Sequence, residues 1–120
     1  MYKLAAVFSF LAAPVLATGL QIEVAGEGAN GVITVDLLED VAPNHVAHIA
    51  ALAADGIYDN VVFHRVIDGF MAQTGDVQYG KAGADTSRAG MGGSDKPDLK
   101  AEFSEVPYDR GIVGMARSSN

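Results

Sequence analysis

Residues 63–76 read Phe63-His64-Arg65-Val66-Ile67-Asp68-Gly69-Phe70-Met71-Ala72-Gln73-Thr74-Gly75-Asp76, and the fold class turns on them. From Val61 to Ile67 the chain is rich in β-branched and aromatic residues, which suit a pleated, half-buried surface. Asp68-Gly69 is a turn dipeptide, and Phe70 to Thr74 can return as the partner strand. A β-hairpin is predicted. Its loop length decides which side chains meet, because strand side chains alternate between faces. A two-residue turn at Asp68-Gly69 would set Arg65 opposite Ala72 and aim Gln73 away. A loop with an odd number of residues would set Arg65 and Gln73 side by side with Met71.

Upstream, Gln21 to Val24 is short and β-branched, Gly26 to Gly31 is turn-rich, and Val32 to Leu38 is largely apolar, which predicts a first hairpin. Pro43 suits the first position of a helix, Val46, Ile49, Ala50 and Ala53 fall on one helical face, and Gly56 is placed to end it. Downstream, Val77 to Lys100 holds five glycines and few large apolar residues, so it reads as a long surface loop. Ile112 to Met115 is the last strand candidate. There is no internal repeat or interdomain linker, and strands outnumber helices. The expected class is mainly β, an antiparallel sheet or barrel with a peripheral helix.

The chain has 120 residues with 49 % hydrophobic content, enough for one globular domain. At the N-terminus Lys3 precedes an apolar run from Leu4 to Val15, broken by Ser9 and followed by Leu16-Ala17. That layout predicts a signal peptide over residues 1–17 and a periplasmic or secreted product, the alternative being a buried strand or an uncleaved anchor. The run is too short for an ordinary membrane span, and no stable membrane insertion is expected after cleavage. Cleavage would leave seven Lys+Arg against fifteen Asp+Glu, a net charge of about −8, which disfavours nucleic acid as a partner. No cysteine is present, so the core must hold the fold without disulfides.

Several apparent motifs fail on their chemistry. Gly75 to Lys81 spells Gly-x-x-x-x-Gly-Lys, but Ala82 stands where a phosphate-binding loop needs Ser or Thr, and Asp76 would repel phosphate. His45 and His48 can share a helical face but lack a third ligand, so they read as surface residues rather than a metal site. His64 should face away from Arg65 and make a structural hydrogen bond. The scattered carboxylates suggest solubility, not a glycosidase pair.

The stretch from Phe63 to Asp76 resembles the signature of the cyclophilin-type peptidyl-prolyl cis-trans isomerases: Phe-His-Arg, then Gly-Phe-Met, then Gln and Gly-Asp. Gly111 to Arg117 resembles the family's later Gly-x-x-x-Met-Ala segment, and the similarity runs from about Gln21 to Asn120. The resemblance implies a cyclophilin-like β-barrel, a domain over residues 18–120, and the odd-length hairpin loop. It implies Arg65 and Gln73 as catalytic residues, with Gln73 bracing the guanidinium. Phe70 and Met71 then form part of a proline pocket, while Gly90, Ala116 and the Arg117 backbone line a peptide groove. Arg117 departs from the small amide common at its position. Taken alone, Arg65 would be a solvated charge, and Phe70 and Met71 would be core packing.

The chemistry accounts for such residues. Rotation about a prolyl peptide bond must break amide resonance, a barrier of about 20 kcal/mol. A catalyst can hold the proline ring in an apolar pocket while a fixed donor favours the twisted amide, whose nitrogen has regained its lone pair. Neither nucleophile, metal nor other cofactor is needed. A guanidinium suits the donor role because it presents several donors in a rigid plane. The partners implied are proline-containing polypeptides, with a cyclosporin-like macrocycle as a candidate ligand and a monomer as the expected state. A proline-peptide binding module without catalysis is the rival reading.

In the family the chain continues past the position of Asn120 with further strands, a second helix, and a glutamine, a phenylalanine, a tryptophan-like aromatic and a histidine at the groove. The expectation is therefore a domain without its C-terminal part, poorly stable alone and inactive as a fragment. Gly80 to Ala89 reads as an insertion relative to short family members.

Overall fold

A computed structural model of the chain describes residues 19–117. The expected signal peptide lies outside the described residues. Strand β1 (Gly19–Val24) pairs antiparallel with β2 (Gly31–Asp36), with Ile22 opposite Ile33 and Leu20 opposite Val35. Leu20, Ile22 and Val24 are half-buried while Gly19, Gln21 and Glu23 are exposed, the period-two pattern of a strand with one covered face. Between the strands, Gly28 takes φ +77°, and the Asn30 side chain accepts a hydrogen bond from the Gly26 N–H at 3.1 Å.

Helix α1 (Pro43–Ala54) opens with Pro43 in its first turn, where a missing N–H costs nothing. Ala42 supplies no side-chain cap. The acceptor comes instead from Glu102, whose carboxylate takes the N–H groups of Asn44 (3.1 Å) and His45 (2.9 Å) and the Asn44 side-chain amide (3.0 Å). A distant carboxylate thus does what a capping side chain does locally, and its charge suits the positive end of the helix. The His45 ring, expected at the surface, is half-buried and bonds the Lys100 carbonyl at 2.8 Å, so it ties the same two segments together.

At the other end, the Ile57 N–H bonds the Leu52 carbonyl (3.0 Å) and the Gly56 N–H bonds that of Ala53 (3.1 Å). With Gly56 at φ +73°, this is the paired bonding of a Schellman cap, and it ends the helix where the sequence predicts. Val46 and Leu52 are the buried apolar side chains among the described residues, with Ile49, Ala50 and Ala53 half-buried beside them. Leu52 extends the predicted apolar face by i+3 from Ile49.

Strands β3 (Phe63–Ile67) and β4 (Met71–Thr74) form a second antiparallel pair. The two hairpins are separate two-stranded sheets, not closed into a barrel among the described residues. Closure needs hydrogen bonds between the sheets, and no ladder joins them. The strand expected over Ile112–Met115 is absent: the Ile112 N–H closes a turn onto the Asp109 carbonyl (3.1 Å), the segment joins no ladder, and strand geometry is stable only when its N–H and C=O groups are paired across strands. The fold is therefore mostly strand with one helix.

Candidate functional site

The register of the second hairpin settles the parity left open by the sequence. Ile67 pairs with Met71, Val66 with Ala72, and Arg65 with Gln73, so the loop holds the three residues Asp68, Gly69 and Phe70. The Phe70 N–H bonds the Ile67 carbonyl at 3.0 Å, with Gly69 at φ +77°, a conformation that glycine reaches without strain. Arg65, Ile67, Met71 and Gln73 consequently share one face of the ladder. Arg65 is exposed, and Met71 and Gln73 are half-buried. Among the described residues no hydrogen bond joins the Gln73 amide to the Arg65 guanidinium; they are neighbours in register. Phe70 stands at the turn with 73 % of its surface exposed.

His64 breaks the alternation. Phe63 pairs with Thr74 and Arg65 with Gln73, so His64 is the extra residue of a bulge, and simple parity no longer fixes its face. The expected hydrogen bond is not formed: His64 Nδ1 is buried without a partner. Gly90 packs against the other edge of the ring, so closely that a Cβ there would stand 2.8 Å from Cδ2 and 3.0 Å from Nε2. The Gly90 N–H is turned to Asp76.

Asp76 organises the loop that follows. Its Oδ1 accepts the N–H groups of Gln78 (3.0 Å) and Tyr79 (2.9 Å), and its Oδ2 accepts those of Gly90 (2.7 Å) and Gly92 (3.0 Å). The residue is 4 % exposed. Burial pushes its carboxyl up, but the amides of Tyr79, Gly92, Gly90 and Gln78 together outweigh that and hold it below the ordinary carboxylate range. The backbone carbonyl of Asp76 also accepts the Gly80 N–H (2.9 Å), and the Gly80 carbonyl accepts the Val62 N–H (2.8 Å), linking the loop to the start of β3. Lys81 fixes the same corner by donating Nζ to the carbonyls of Ile57 and Asp59, both at 2.7 Å. Amides that would face phosphate in a nucleotide-binding loop are here turned onto a carboxylate of the same chain. Only the near half of this had a sequence signal, an aspartate two residues before Gln78 in an Asx-turn pattern; the bonds from Gly90 and Gly92 had none.

The remaining predicted residues lie in the C-terminal segment. Ala116 and Arg117 are exposed, and the Arg117 guanidinium sits 5.7 Å from the centre of the Phe103 ring. No hydrogen bond joins residues 111–117 to the hairpin among the described residues. Among the described residues no group of three or more His, Cys, Asp or Glu side chains could hold a metal ion, and no helix is long and apolar enough to cross a membrane. What the hairpin offers is a solvent-facing guanidinium flanked by an amide and a thioether on one rigid ladder, a donor array beside an apolar contact.

Comparison with known proteins bears on the family. The sequence model of the family described as cyclophilin type peptidyl-prolyl cis-trans isomerase/CLD matches residues 20–120. A probable peptidyl-prolyl cis-trans isomerase of Brucella suis is 56 % identical over 93 residues, covering 76 % of this chain and 47 % of the relative. Peptidyl-prolyl cis-trans isomerase-like 1 of Aspergillus oryzae is 35 % identical over 102 residues, covering 80 % of this chain and 56 % of the relative. The chain thus spans about half the length of the curated relatives it matches. No solved structure matches significantly. On the family match and the Brucella identity together, the chain belongs to the cyclophilin-type peptidyl-prolyl cis-trans isomerases.

Proposed function

We propose that the protein accelerates rotation about X-Pro peptide bonds in other polypeptides. The observation that carries this reading is the three-residue hairpin loop, which brings Arg65 opposite Gln73 with Met71 on the same face. The Arg65 guanidinium donates to the prolyl nitrogen as the imide twists and its lone pair returns, so the donor is worth more in the transition state than in the planar ground state. Gln73 keeps the guanidinium on its side of the ladder. Phe70 and Met71 supply apolar contact to the proline ring, and Gly90, Ala116 and the Arg117 backbone line the groove for the flanking peptide. No bond to the protein is made or broken.

The whole domain is a closed antiparallel barrel over residues 18–120 and the further length its relatives possess, and the two hairpins are parts of its wall. Residues 1–17 act as a signal peptide, so the clients are exported polypeptides in the periplasm or outside the cell. The working state is a monomer, and the peptide groove accepts a cyclosporin-like macrocycle.

A second reading, a proline-peptide binding module without catalysis, draws on the open setting of Phe70 and Arg65. Parallel rate and affinity measurements on the full-length protein separate the two. Catalysis through Arg65 predicts that Arg65→Ala lowers kcat/KM on the order of a hundredfold or more while peptide affinity changes little. An unchanged rate in that variant, or binding by the wild type with no acceleration, supports the module.

A further inference from the structure

Between Val77 and Gly92 the chain leaves Asp76 and returns to it. One carboxylate oxygen holds the outgoing residues Gln78 and Tyr79, the other the incoming residues Gly90 and Gly92, fourteen and sixteen positions away in sequence. The excursion is thereby closed at its base by a single side chain. Its outer part carries its own ordering contacts: Asp85 accepts the Ser87 N–H (3.0 Å), and Arg88 both stacks 4.2 Å from the Tyr79 ring centre and donates to the Tyr79 hydroxyl (3.1 Å). Thr86, Ser87 and Ala89 face Val62, Phe63 and His64 across a hollow of about 470 Å³, and Gly90 rests on the His64 ring, one residue from Arg65.

From this arrangement we infer that Asp76 is a positioning residue and residues 77–92 a recognition loop: by fastening both ends, the carboxylate sets the hydroxyl-bearing hollow of Thr86 and Ser87 beside the Arg65 strand, where it selects a polar substrate residue flanking the proline. The inference rests on the peptide-isomerase reading but concerns a different step, recognition rather than rotation. An aspartate fits the task because two carboxylate oxygens accept all four N–H groups. An asparagine has one accepting oxygen, and its amide would turn donors toward two of the N–H groups. Gly92 fits as well, since a Cβ there would lie 2.9 Å from Asp76 Oδ1.

The test uses the full-length protein, Asp76→Asn and the double variant Thr86→Ala/Ser87→Ala, with calorimetric affinities for X-Pro peptides bearing a polar or an apolar flanking residue. Amide exchange is followed in parallel. Asp76→Asn is expected to speed exchange at Gln78, Tyr79, Gly90 and Gly92 by roughly tenfold or more, with the β1–β2 amides unchanged, and to weaken peptide binding on the order of tenfold. The double variant is expected to abolish the preference for polar flanks, weakening binding of the polar-flanked peptide several-fold and of the apolar-flanked one little. If Asp76→Asn also exposes the β1–β2 amides, the double variant decides alone. Unchanged affinities and flank preference in the double variant overturn the inference. That failure leaves the Arg65 result standing, whereas a wild-type protein that binds no X-Pro peptide overturns both.

Discussion

Arg65 and Asp76 carry charge in opposite ways, one exposed on a strand and one buried under amides, and their tests differ accordingly. Because the Asp76 carboxyl is held below its ordinary value of 3.8, the folded state binds its proton less readily than the unfolded chain. The stabilisation it gives is complete above that ordinary value and is lost as pH falls through the depressed one. Protection of Gly90 and Gly92, taken relative to their intrinsic exchange rates, should therefore stay constant from about pH 8 to pH 5 and fall only in stronger acid, with Asp76→Asn showing no such acid step. An acid step centred near neutrality would contradict the four-amide geometry. The place of Arg65 opposite Gln73 was legible in the sequence because Phe-His-Arg and Gly-Phe-Met flank the turn. Asp76 was not, since its partners at Gly90 and Gly92 are distant in sequence and contribute only backbone. The hydrogen bond expected of His64 is missing, and the alternation that would fix its face is interrupted by the bulge.

Hairpins and helix obey local rules, and those rules were mostly readable in advance. Pro43 and Gly56 mark the helix ends as their backbones dictate, and Gly69 closes the three-residue loop. Replacing Gly56 by Ala should cost about 1 kcal/mol in thermal or denaturant unfolding, because an L-residue at positive φ is strained and the Asp59 carboxylate lies 3.3 Å from the added Cβ. Gly69→Val should cost more, about 2 kcal/mol, since a β-branched residue tolerates that conformation worst, while Gly69→Asn should cost less. The start of α1 depends on a residue that no local rule could supply. Glu102→Gln is expected to loosen exchange protection at Asn44 and His45 while the Gly56 end stays intact; equal protection in the variant would mean that Glu102 is incidental. Ile112–Met115 had strand composition but no partner, which shows that β-branched content predicts a strand only where an edge is available to receive it.

The described residues expose much apolar surface: on the face shared with Ile22, Ile33 is 47 % exposed, and Val66 and Val113 are 67 % and 68 % exposed. Overall topology was the least legible level, because pairing between sheets depends on contacts far apart in sequence, whereas each hairpin is written within one short stretch. If the proposed barrel is completed by the additional length found in its relatives, the 120-residue chain alone should bind hydrophobic dyes and unfold with a shallow transition. Joining it to the remainder of the Brucella suis relative should suppress dye binding and sharpen unfolding; equal behaviour of the two would argue against the barrel. The decisive experiment concerns catalysis. Magnetisation exchange between the cis and trans forms of one Ala-Pro peptide, with catalytic amounts of full-length wild type or Arg65→Ala, reads the rotation rate without a coupled enzyme. Wild type should bring interconversion from tens of seconds to well under one second, and the variant should return it most of the way to the uncatalysed rate. Exchange as fast with alanine at position 65 as with arginine would contradict the proposed role of the guanidinium.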